Sequence, residues 1–144
     1  MLEINPILLA KIHAHGEAAY PEEGAGFLLG NDGEVRKVLD LWPIQNAREA
    51  DARHNRYLIN PTDYLEGEAA AERLGLTLLG VFHSHPDHPN QPSEYDREWA
   101  QPFFSYLITS IEKGKAVASR SWRLVEDRSA FVEEPVSIQD IVHP

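Results

Sequence analysis

The apolar run Leu76-Thr77-Leu78-Leu79-Gly80-Val81-Phe82 breaks directly into His83-Ser84-His85-Pro86. This junction constrains the fold more than any other stretch of the chain. The run reads as a buried strand. On a strand, residues i and i+2 point to one face, so His83 and His85 can converge on one ion at the strand's end. Further on, Ser93-Glu94-Tyr95-Asp96 looks like a helix start, with Ser93 as N-cap and acidic residues in the first turn. His83, His85 and Asp96 then form a three-ligand site, and zinc catalysis keeps a fourth position for water.

The chain carries its own control for this reading. His13-Ala14-His15 is also a His-x-His, but it lies in an expected helix. There, i and i+2 stand about 200° apart around the axis. Those two imidazoles are read as surface or edge residues that do not share a metal. The chain has no cysteine, so disulfides, thiolate zinc sites and cysteine nucleophiles are excluded, and any metal must use His, Asp or Glu. A formal net charge of −10 argues against nonspecific binding to nucleic acid. No apolar stretch reaches membrane-spanning length and no signal pattern opens the chain, so no membrane partner is expected and the default location is cytoplasmic.

At 144 residues, one domain with a sizeable core is expected. Asn5-Pro6 opens a helix over 7–20. Residues 24–30 read as a short buried strand, Asn31-Asp32-Gly33 as a turn, and 34–44 as its hairpin partner. Residues 45–55 are polar and read as a loop, and 57–59 as a short strand. Asn60-Pro61 opens a second helix that Gly75 ends. A strand at 76–83 and a helix near 93–100 follow. Strands at 104–111 and 116–125 flank Glu112-Lys113-Gly114-Lys115, and 129–132 reads as a last strand. The expected domain is 1–134, with 135–144 a short C-terminal tail of open state. Alternating helices and strands indicate a layered α/β domain, and the hairpins make its sheet mixed.

These residues resemble the JAMM (MPN-plus) metalloproteases. That family's signature is an upstream glutamate followed by His-x-His-x7-Ser-x-x-Asp, and seven residues, Pro86 to Pro92, separate His85 from Ser93. The family's glutamate stands three before a glycine that enters an apolar strand. Glu23 stands so before Gly26, with Glu22 one residue out of register. Asn46 and the segment Arg56-Tyr57-Leu58-Ile59-Asn60-Pro61 also resemble small bacterial and archaeal members. The similarity covers most of residues 5–125. Ala25 departs from the cysteine many relatives carry, at a position with no catalytic role in the family.

The resemblance implies a curved mixed sheet flanked by helices, laid out like the cytidine deaminases. It implies Zn2+ held by His83, His85 and Asp96, Glu23 as general base and Ser93 as an oxyanion stabiliser. It also implies a substrate: a peptide or isopeptide bond after the C-terminal Gly-Gly of a ubiquitin-like or sulfur-carrier protein. Plainer readings stand beside each role. Ser93 is also an ordinary N-cap, Asp96 a favourable charge at a helix start, Glu23 a solvated residue before a strand, and His88 a solvated loop residue. Trp42, Trp99 and Trp122 are read as core or rim packing. Asp87 and Glu94 are near the ligands in sequence at spacings that do not fit ligation. The alternative functions are a zinc-dependent small-molecule amidase, a non-catalytic MPN-type scaffold, and a DNA-repair-associated bacterial relative. A nucleobase deaminase is removed by the absence of cysteine.

Overall fold

Helix ends are fixed by side chains adjacent to proline. Asn5 accepts the Leu8 N–H at 2.8 Å, Pro6 takes the first helical position, and α1 (Pro6–Ala19) follows. Asn60 and Asp63 cap each other's backbone at 2.8 and 3.0 Å to open α2 (Pro61–Leu74). Gly75, at φ 69°, closes it in the left-handed conformation that glycine takes without a steric penalty. The computed structural model describes residues 1–44 and 59–139. The expected loop at 45–55, Asn46 within it, and most of the expected strand at 57–59 lie outside the described residues.

Between the helices lies an eight-stranded sheet in the order β7-β6-β5-β4-β2-β3-β1-β8. Its strands are β1 (Leu2–Ile4), β2 (Ala25–Asn31), β3 (Arg36–Ile44), β4 (Thr77–Pro86), β5 (Ser105–Glu112), β6 (Lys115–Leu124), β7 (Phe131–Glu134) and β8 (Val136–Ile138). A short helix, α3 (Glu94–Trp99), lies in the connection from β4 to β5. β4 runs parallel to β5 and antiparallel to β2, and β1 runs parallel to both β3 and β8. The remaining pairs are antiparallel hairpins, so the sheet is mixed, as expected. Register shifts in β2, β4 and β5 pairings bend it.

Strand alternation sorts the core onto two faces. Leu28, Leu79, Phe82 and Leu107 pack with Leu8 and Ile12 of α1. Phe27, Leu29, Val81 and Tyr106 pack with Ala70 and Ala71 of α2. Gly26 is needed where the faces close, because a Cβ there would stand 2.3 Å from the Phe82 ring. Among the described residues no helix is long and apolar enough to cross a membrane.

Several elements differ from the sequence reading. β4 runs on to Pro86 because β5 continues beside it, pairing Ser84 with Thr109 and His85 with Ser110. The last hairpin strand is Phe131–Glu134 because the Val125 N–H reaches the Ala130 carbonyl at 3.0 Å and closes a turn over the intervening residues. The segment after Pro135 contributes β8, and the expected elements include no counterpart of β1.

Candidate metal centre and its surroundings

The site arises from a mismatch in strand length. β4 pairs with β2 only as far as His83, opposite Ala25, whereas its pairing with β5 continues to Pro86. Beyond His83 the β2 side of the strand is therefore open to the segment carrying Glu23. His83 and His85 share a face, with ring centroids 5.0 Å apart. Both are buried, at 1% and 6% exposure, as is Asp96 at 5%.

α3 delivers Asp96. Ser93 Oγ accepts the Asp96 N–H at 3.1 Å and Asp96 Oδ2 accepts the Ser93 N–H at 2.8 Å, a complete capping box. The other lone pairs of the same carboxylate face the imidazoles. His83 Nε2 lies 3.5 Å from Oδ1, and His85 Nε2 lies 3.2 Å from Oδ2. One ligand atom from each of the three residues lies within 4.8 Å of the others. Asp96 thus caps the helix start and faces both imidazoles with the same carboxylate.

The donor chemistry fits a metal ion. His85 Nδ1 lies 2.8 Å from the Pro89 carbonyl, which can only accept, so Nδ1 carries the hydrogen. In the neutral ring this turns the Nε2 lone pair toward a carboxylate oxygen. Two acceptors at that distance require a shared cation, either a proton or a metal. Burial pushes His83 down to about 4 against the opposing charge of Asp96, so its imidazole is neutral at pH 7. Burial pulls His85 the same way, but the hydrogen bond and charge of Asp96 outweigh it and leave His85 above its ordinary value. Burial would raise Asp96, but the imidazoles and the Ser93 N–H outweigh it and hold the carboxyl well below the usual range. Metal ligands bind deprotonated. His83 and Asp96 already are, and an ion here would take the place of a proton shared between His85 and Asp96.

Glu23 lines the same cleft as His85, His88, Ser93, Glu94 and Tyr95, and its charge acts on His85. Glu22 is not part of that lining. Ser84, between the two histidines, points to the opposite face of the sheet. Its Oγ accepts the Gly24 N–H at 2.8 Å, and its own N–H donates to the Gly24 carbonyl at 3.0 Å. The residue beside Glu23 is therefore tied to the residue between the imidazoles. A second tie is Asp87, which accepts the Tyr20 hydroxyl at 2.6 Å and the Lys113 N–H at 2.8 Å. Trp122 steadies the motif loop by donating to the Asn90 carbonyl at 3.0 Å. Sequence reasoning assigned none of these supports, because each is a contact between distant segments with no spacing signature.

The control pair separates as expected. His13 Nε2 meets Ser119 Oγ at 3.0 Å, whereas His15 packs edge-on against Phe82. Neither belongs to a metal-competent cluster among the described residues. His15 nevertheless lies behind the site, next to the residue preceding His83, so the remoteness of α1 in sequence does not carry over to space. His13→Ala should leave metal content unchanged, as elemental analysis would show.

An apolar groove adjoins the cleft and shares Tyr95 with it. Ile59, Tyr64, Leu65 and Trp99 line it. Leu65 and Trp99 are 67% and 55% exposed, so Trp99 is a rim residue.

Comparison with known proteins agrees with the geometry. A Thermus thermophilus protein named as a probable TtuB-protein conjugate cleaving protease is 35% identical over 109 residues, covering 76% of this chain and 70% of that one. A CysO-cysteine peptidase from Mycobacterium bovis is 27% identical over 139 residues, covering 96% and 91%. The crystal structure of a JAB1/MPN domain protein from Archaeoglobus fulgidus superposes with a TM-score of 0.58 at 18% identity, covering 96% and 98%, a likeness of fold. Residues 6–125 match the family described as prokaryotic homologs of the JAB domain, and the chain belongs to that family, in accord with its resemblance to the JAMM metalloproteases.

Proposed function

We propose that this protein is a zinc-dependent metallopeptidase that cuts the peptide or isopeptide bond after the C-terminal Gly-Gly of a ubiquitin-like or sulfur-carrier protein. The observation that carries the reading is the buried convergence of His83, His85 and Asp96 in the cleft that Glu23 lines. The two named relatives act, by their names, on a TtuB-protein conjugate and on CysO-cysteine.

His83, His85 and Asp96 would hold the zinc. When bound, it supplies a water whose pKa is lowered to about 7 and an electrophile for the scissile carbonyl. Glu23 would act as general base, its carboxylate accepting the proton of the attacking water and returning it to the leaving amine. Ser93 Oγ, which accepts the Asp96 N–H, keeps its own proton to donate to the developing oxyanion. A Gly-Gly tail has no side chains to hold its backbone away from the centre. The groove at Leu65 and Trp99 takes the carrier's folded body.

The test uses carrier fusions with a short extension after Gly-Gly, read by mass. Cleavage directly after the second glycine is expected, abolished by chelator and restored by zinc. Leu65→Asp should raise KM for the fusion by roughly tenfold, the loss of about 1.4 kcal/mol of apolar docking, and leave a short Gly-Gly peptide unaffected. Failure on several carriers with efficient hydrolysis of small amides would replace this reading with the amidase one.

A further inference from the structure

The carboxylate of the centre rides on a helix that cannot sustain itself. α3 has 6 residues, well below the roughly 12–15 at which an isolated helix becomes even marginal. Its N-terminal end is held by the Ser93–Asp96 box. At the other end the last carbonyls have no partners within the helix. Arg128, in the turn between β6 and β7, supplies them. Its Nη1 donates to the Ala100 carbonyl at 2.8 Å, and its Nη2 donates to those of Arg97 and Glu98, both at 3.1 Å. Arg97 Nη1 answers by donating to the Arg128 carbonyl at 3.1 Å. The guanidinium also places positive charge at a helix C-terminus, where the dipole favours it.

Arg128 does this from a strained backbone. Its φ is +66°, in the left-handed region that non-glycine residues avoid. Glycine would form the same turn without strain. A strained side-chain-bearing residue persists where its side chain is needed, and two carbonyls of the metal-bearing helix and that of its C-cap, Ala100, are what this side chain reaches.

We propose that Arg128 is a positioning residue for the metal centre. Its guanidinium fixes the C-terminal end of α3 and thereby sets where Asp96 meets His83 and His85. The proposal rests on the metal-site reading above. It assigns to the β6–β7 turn a part in metal affinity that no spacing within the metal motif encodes. Lysine cannot substitute fully, since an ammonium lacks the planar fork that spans several carbonyls.

The decisive variant is Arg128→Gly, because it removes the guanidinium while relieving the backbone. Two quantities are measured on the full chain: zinc affinity by competition with a chromophoric chelator, and thermal unfolding of the metal-free protein. The expected result is a zinc affinity lower by about tenfold, the low end of the cost of losing support around a metal ligand, with metal-free stability unchanged or raised. Arg128→Lys should fall between glycine and wild type. An Arg128→Gly variant that binds zinc as tightly as wild type overturns the proposal. So does an affinity loss matched by an equal loss of metal-free stability, since Arg128 would then hold the fold rather than the ligand. A wild type that takes up no zinc overturns the metal-site reading and this proposal together, whereas a failure confined to the variant leaves that reading intact.

Discussion

Replacing both His83 and His85 by alanine should reduce zinc from about one ion per chain to near zero, because a lone carboxylate cannot make the three-ligand set such a site requires. Both rings are buried and both face the Asp96 carboxylate. The measurement is elemental analysis of protein purified without added metal, with circular dichroism to establish that the sheet persists. Asp96 makes a poorer target, since its removal also dismantles the capping box of α3. Unchanged zinc content in the double variant would place the metal elsewhere and end this assignment.

Glu23→Gln should keep the metal and the fold yet lower turnover by roughly 10²-fold or more, the usual scale of losing a positioned proton acceptor. The amide is nearly isosteric with the carboxylate, so the Gly24–Ser84 tie that holds the segment should survive. Glu22→Gln should be mild. If the two variants exchange effects, the register is off by one residue. If both stay active, the proton passes through some other group.

The difference between what the sequence disclosed and what it withheld follows the range of the interactions. α1 and α2 are written locally, in Asn-Pro starts and a closing glycine. β4 is written in its apolar run. The pairing of His83, His85 and Asp96 is legible because a strand end, a fixed spacing and a capped helix each leave a short-range mark. β1 and β8 leave none. Each is a 3-residue strand, and β8 pairs in parallel with β1 from the far end of the chain, with no turn to announce it. The same holds for Ser84 on Gly24, Asp87 between Tyr20 and Lys113, and Arg128 on α3. His15 is a further case, since its helical spacing gives no sign that its ring lies against Phe82, next to His83.

One carboxylate closes the first turn of α3 and faces both imidazoles. With an ion bound there, ligation and helical order would not be independent variables in this protein. Any ion that prefers the assembled site stabilises the ordered segment in proportion to the logarithm of its concentration over its dissociation constant. Starvation for metal would do more than remove a Lewis acid. It would slacken the backbone that presents Ser93 and shapes the cleft wall, so that a depleted chain loses its grip on substrate together with its chemistry. The cell's supply of metal would then set how many copies are assembled, rather than how fast each assembled copy works.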